Sequence, residues 1–156
     1  MSLSRSAQSV QNALAAKGVA TEVVELPSST RTADEAARSI GCEVGQIVKS
    51  LLFRTASDRP ILILASGPNR VNEKAVAVHV GEPLLKADAD FARKHTGFAI
   101  GGVPPVGHPE PLTTYIDEDL LQFPLVWAAA GTPNAVFSLP SSSLQLLTNG
   151  LVISVK

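Results

Sequence analysis

Two apolar runs joined by a short turn constrain the fold more than any other feature of the chain. Ile47-Val48-Lys49-Ser50-Leu51-Leu52-Phe53-Arg54 is followed by the turn Ser57-Asp58-Arg59-Pro60 and then by Ile61-Leu62-Ile63-Leu64-Ala65. Apolar and β-branched runs bounded by turn formers read as strands, and the short connection makes this pair an antiparallel hairpin. Gly45 precedes the first strand, and Ser66-Gly67-Pro68-Asn69-Arg70 is the loop that follows the second.

The rest of the chain arranges itself around that hairpin. Ala7, Val10, Leu14 and Ala15 have helical spacing, so residues 4–17 are a helix stopped at Gly18. Residues 21–26 read as a strand. Thr32 with Glu35 is a capping-box signature ahead of a helix from Ala33 to about Ile40, ended by Gly41. Further helices are expected over 72–78 and 88–95, and 98–107 reads as strand and then loop. Strands are expected at 113–116, 125–129, 135–139 and 151–155. Asp117 caps a short helical turn, Gly131-Thr132-Pro133-Asn134 is a turn, and a last helix covers 142–147. Strands outnumber helices and run mostly in hairpin order, which predicts an α+β fold with a curled, mixed and mostly antiparallel sheet rather than a doubly wound one. With no internal repeat and no linker, residues 1–156 read as one domain.

Composition narrows the function. The formal net charge is −1 and 17% of residues are charged, so affinity from broad phosphate neutralisation is disfavoured. A nucleic-acid contact would be local and use few cations. Cys42 is the only cysteine, and with His79, His95 and His108 scattered it argues against a structural zinc site. No apolar run is long enough to span a bilayer, and the polar N-terminus lacks the apolar core of a secretory signal. A reduced, cytoplasmic chain with no membrane partner is expected.

Two features stand out chemically. Alternation puts Lys49 on one strand face with Ile47, Leu51 and Phe53. An ammonium there snorkels out at a sheet edge, or it forms the floor of a pocket that awaits an anion or an acceptor. The second feature is the glycine- and proline-rich stretch from Gly97 to Pro109, with Gly101, Gly102, Pro104, Pro105 and Gly107, closed by His108. It is a wide turn, or a rigid loop offering bare backbone to a ligand. It matches neither GxGxxG nor a P-loop, and GxSxG is absent from the chain.

The order of these features carries a resemblance. Thr32-Ala33-Asp34-Glu35-Ala36-Ala37, Gln46-Ile47-Val48-Lys49-Ser50-Leu51, Ser66-Gly67 with Asn69-Arg70-Val71, Gly101-Gly102-Val103-Pro104-Pro105-Val106-Gly107-His108 and Ala129-Ala130-Gly131 follow one another. In that series the chain resembles the YbaK / prolyl-tRNA-synthetase-associated editing domain family over nearly its whole length. The resemblance implies a curled, barrel-like mixed sheet with flanking helices. It also implies a hydrolase, here free-standing and acting in trans, that cleaves the ester of a mischarged tRNA carrying a small amino acid such as alanine, on tRNA-Pro or more broadly.

An aminoacyl ester is already activated, so water, alignment and oxyanion stabilisation suffice, and no metal or cofactor is implied. By resemblance, Lys49 engages the terminal phosphate or ribose, and Gly101 and Gly102, stiffened by Pro104, hold the ester or orient water. His108 is a candidate hydrogen-bonding group near the ester. Asn69 and Arg70 are placed at the mouth, or form a polar turn before a helix. Thr32, Ser50 and Ala130 are candidate pocket-lining residues whose size excludes bulky amino acids, a discrimination of about 1–3 kcal/mol per methylene. Expected partners are the acceptor end of tRNA and, transiently, prolyl-tRNA synthetase or an elongation factor, with monomer and weak dimer both open. The alternatives are a non-catalytic tRNA-binding module, against which the near-zero charge counts, and a domain that keeps the fold without activity.

Overall fold

The computed structural model describes residues 3–27 and 32–156. The elements are α1 (Arg5–Ala16), β1 (Val24–Glu25), α2 (Ala33–Ile40), a 3-10 turn (Val44–Gln46), β2 (Ile47–Thr55), β3 (Pro60–Ser66), α3 (Glu73–Val80), β4 (Leu84–Lys86), α4 (Ala89–Thr96), β5 (Thr113–Asp117), a second 3-10 turn (Glu118–Gln122), β6 (Leu125–Ala129), β7 (Ala135–Pro140), α5 (Ser143–Thr148) and β8 (Leu151–Ile153). Short polar side chains start the helices. Ser4, Thr32, Asn72 and Asp88 each accept from a backbone N–H in the first turn of α1, α2, α3 and α4. Gly41 at φ +87° ends α2, a conformation other residues adopt only at a cost.

The strands form one mixed sheet in the order β1-β7-β6-β2-β3-β5-β8, with β4 added to β2. β1–β7, β2–β3, β2–β4 and β6–β7 run antiparallel; β2–β6, β3–β5 and β5–β8 run parallel. The sheet is open, with β1 and β8 at its edges, so it does not close into a barrel. β3 lies inside it, and Ile61, Leu62, Ile63, Leu64 and Ala65 are each 0% exposed because both faces are covered. On one face Leu62, Leu64, Ile116 and Phe137 pack with Val10 of α1, Leu144 of α5 and Phe98, Val103 and Val106 of the glycine–proline segment. On the other, Ile61, Ile63 and Tyr115 pack with Val76 of α3, and Ile47 packs with Ala36, Ala37 and Trp127 beside α2.

Four expectations from sequence need correction. The strand at 21–26 shortens to β1. There the Gln11 amide bonds Thr21 O (2.9 Å) and Val23 N (2.8 Å), so a side chain occupies the place of a ladder neighbour. No strand forms within 98–107, where the Thr96 hydroxyl takes the Phe98 N–H (3.0 Å) and prolines remove further donors. The last strand stops at Ile153, and Val155 O instead accepts from Asn72 N at 2.6 Å. β4 is a strand that periodicity missed, because Leu84-Leu85-Lys86 is too short to show alternation.

β2 has two different edges. One pairs without interruption with β3, from Val48↔Ser66 to Arg54↔Pro60. The other pairs with β6 only at Ile47 and Val48, and with β4 only from Phe53 to Thr55. Residues 49–52 have no strand beside them on that edge, and the sheet is split there.

Candidate active site

A cavity of about 440 Å³ lies at this split. Residues 47–51 of β2 form its floor, and the first turn of α2 (Thr32, Ala33, Asp34) flanks it. Trp127, Ala128 and Ala129 of β6, Ala135 and Val136 of β7 and the turn residues Thr132 and Pro133 form one wall, and Gly101 and Val103 form another. Gly67 closes a corner where no side chain fits: a Cβ there would overlap the Val44 carbonyl. The volume suits a small ligand.

Lys49 is half-buried and its Nζ donates to the Asn69 carbonyl at 2.5 Å. Burial pulls its ammonium below the usual lysine value; Asp117 opposes that shift and Arg70 adds to it. Of its three N–H donors, one is committed to a described residue. Ser50 follows on the opposite sheet face, and its Oγ is buried with no partner among the described residues. Unpaired backbone groups of residues 49–52 alternate in pointing into the gap. The floor therefore brings together an ammonium, bare strand edge and the buried Ser50 hydroxyl within a small volume. It lies next to the first turn of α2, where Thr32 takes one of the end amides and the others keep their positive dipole end.

The ten residues singled out from sequence divide into two groups. Lys49, Ser50, Gly101 and Thr32 line the cavity. The other six do not, and each has a different place. Gly102 is buried against a second loop: its carbonyl accepts from Gly131 N (2.9 Å), and a Cβ on it would lie 3.0 Å from Gly131 C and O and Thr132 Cα. The close backbone approach expected from a ligand is made by the protein itself. Pro104 is buried and its carbonyl bonds His108 Nε2 at 2.7 Å. Asn69 turns its side chain away, to Asp117 Oδ2 (2.8 Å) and Asp119 Oδ2 (2.7 Å). Arg70 is exposed but close enough for its charge to act on Lys49. Ala130 is fully buried, and Ala128 and Ala129 supply the small-residue wall instead. Lys49 does not share a sheet face with the glycine–proline segment. By alternation it shares a face with Ile47 and Leu51, whereas the glycine–proline segment packs on the face of Val48 and Leu52. Ser50 is the side chain on that segment's side, and both residues line the cavity.

Sequence reasoning overlooked Trp127 and the pair Thr132-Pro133 as lining, and read Asp117 only as a cap. Cys42 packs beside Ala36 and Ile47, and burial pushes its thiol up. Among the described residues no group of three His, Cys, Asp or Glu is placed to hold a metal.

His108 makes a testable contribution to stability. Burial pushes its imidazole below the ordinary value of 6.5, and the bond to Pro104 opposes this more weakly. The unfolded chain then binds more protons than the folded one below about pH 6.5, so this residue makes stability fall with acid. Between pH 7 and pH 5 the Tm is expected to drop, and His108→Gln, which keeps an N–H for Pro104, should flatten that slope. Equal slopes in the two proteins would show that the ring does not carry the effect.

A family model described as the aminoacyl-tRNA editing domain matches residues 27–147. The chain belongs to that family. A crystal structure of a candidate trans-editing enzyme for prolyl tRNA synthetase superposes with a TM-score of 0.94 at 52% identity, covering 99% of each chain. An uncharacterized protein of Bacillus subtilis, YwhH, is 32% identical over 80% of this chain and 79% of its own length. The proline–tRNA ligase of Limosilactobacillus fermentum is 37% identical over 57% of this chain, which is 16% of that enzyme. The editing domain is thus matched both by proteins of its own size and by part of a much larger synthetase. No helix among the described residues is long and apolar enough to cross a membrane.

Proposed function

We propose that this editing domain is an aminoacyl-tRNA deacylase that acts in trans, hydrolysing the ester between a small amino acid, alanine in the first instance, and the terminal ribose of a mischarged tRNA. The observation that carries this reading is the split beside β2, which puts Lys49 and Ser50, whose buried hydroxyl has no partner among the described residues, in the floor of one small cavity. The family membership supports the substrate class, and the synthetase relative supports tRNA-Pro among the tRNA bodies to test.

In this reading the 3′ end enters the split. Lys49 holds the terminal phosphate or ribose by a charge-assisted hydrogen bond, and Ser50 and the bare strand edge orient the aminoacyl group. Water adds to the ester carbonyl, the bond to the ribose oxygen breaks, the ribose regains its hydroxyl and the amino acid leaves as carboxylate. Fixed dipoles facing the developing oxyanion stabilise it. Ala128, Ala129 and Ala135 leave room for a short side chain and resist a long one. Prolyl-tRNA synthetase is the transient partner this reading favours.

The test is incubation with a panel of mischarged tRNAs, varied in amino acid and tRNA body, at catalytic protein concentration. Many turnovers of released alanine are expected, with slower release of bulkier residues. Stoichiometric binding without release would replace the enzyme by a binding module, and preferential release of cysteine would reassign the amino acid.

A further inference from the structure

Asp117 ends β5 with 0% exposure, and no Lys, Arg or His pairs with it among the described residues. Its carboxylate is satisfied by N–H groups instead. Oδ1 accepts from Asp119 N (2.9 Å), the capping bond of the 3-10 turn. Oδ2 accepts from Ser66 N (2.9 Å) and Asn69 Nδ2 (2.8 Å). A cap needs only the first oxygen. The second is committed entirely to the 66–69 turn, whose own closure is Asn69 N to Ser66 O at 2.9 Å. Asp119 grips the same Asn69 amide at 2.7 Å and is itself held by Lys156 at 3.0 Å. A buried carboxylate without a cation is costly. What this turn presents to Lys49 is the Asn69 carbonyl, which accepts from its Nζ.

We infer that Asp117 is a positioning residue for Lys49: through Asn69 it fixes the 66–69 turn so that one carbonyl holds the ammonium at the floor of the split. This role serves the reaction proposed above and rests on that reading. The charges facing Lys49 are Asp117 from β5, Arg70 from the turn and Asp34 from α2 across the cavity, with the Asp119–Lys156 pair behind Asn69. Asp117 is the negative charge that opposes the effects of burial and Arg70 on Lys49. Asp117→Asn keeps the shape, removes that charge and turns an amide toward Asp119 N–H. Asn69→Ala keeps the carbonyl but frees it from both carboxylates.

The experiment uses the full chain and both variants. An NMR titration of the Lys49 side chain, identified by the signal lost in Lys49→Arg, is run beside kcat and KM across pH on mischarged tRNA. In Asp117→Asn, Lys49 should titrate at lower pH than in the wild type, and the alkaline limb of kcat should move the same way. In Asn69→Ala, assayed well below its melting range, kcat should fall about 10- to 100-fold, the scale of a misplaced catalytic group, with KM little changed and a Tm lowered by the donor lost to Asp117. A folded Asp117→Asn whose Lys49 titration and kcat profile match the wild type would overturn the inference, as would wild-type kcat in Asn69→Ala. If Asp117→Asn fails to fold, Asn69→Ala decides alone. If the wild type releases no amino acid from any tRNA, the deacylase reading fails, and the NMR titration still decides the positioning.

Discussion

Lys49→Ala is expected to lower kcat/KM for mischarged tRNA by about 10²–10³-fold, the loss associated with one preorganised stabilising donor in a water-poor site. The fold should survive it. Lys49 is half-buried and lines a cavity that water can enter, and its one partner among the described residues is the Asn69 carbonyl. Losing that bond should cost no more than about 0.5–1.5 kcal/mol. β2 keeps its register with β3, because those pairings are made by backbone. The measurement is steady-state deacylation alongside a thermal melt. Activity near wild type with an unchanged melt would remove Lys49 from the reaction. Lys49→Arg is informative in a second way. It keeps the charge but replaces a compact ammonium with a planar fork whose donors do not coincide with Nζ on the Asn69 carbonyl, so most of the loss should remain.

Gly102→Val is expected to damage stability and activity together. A Cβ at Gly102 would lie 3.0 Å from three backbone atoms of residues 131 and 132. Backbone cannot rotate aside as a side chain does. Gly131 is held in turn from behind, since a Cβ on it would meet Ser6 O at 2.9 Å and Phe98 Cε1 at 3.1 Å. The loops must separate, at a cost of about 1–3 kcal/mol, or about 2–4 °C of Tm for each kcal/mol in a chain of this length. Separation also moves Thr132 and Pro133, which form part of the cavity wall, so kcat/KM should fall even well below the melting range. Gly102→Ala should show a smaller version of both effects. An unchanged melt with reduced turnover would instead place a ligand against Gly102.

Local features were legible in sequence because their causes are local. The apolar run of β3 announced a strand covered on both sides. Thr32 three positions before Glu35 announced the start of α2, and alternation announced the unusual setting of Lys49. The split beside β2 was not legible. It depends on where β6 leaves β2 after Val48 and where β4 joins at Phe53, and neither event has a signature near residue 49. The significance of Ser50 was hidden for the same reason, as was that of Asp117, whose second oxygen reaches a turn far back in the chain. The glycine–proline segment was correctly singled out, yet its glycines serve two ends. Gly101 borders the cavity, whereas Gly102 makes room for Gly131, and composition cannot separate a glycine that admits a ligand from one that admits another loop.

The two edges of β2 divide labour in a way that bears on how such a domain can change. The residue that carries the charge sits on a strand anchored along one whole side by β3. The residues that line the opposite wall sit on β6 and the turn after it, and β6 pairs with β2 at only two ladder positions among the described residues. Substitutions at 127–133 can therefore retune which side chains are admitted while the ammonium stays where it is, so selectivity and reactivity are free to drift apart on a constant scaffold.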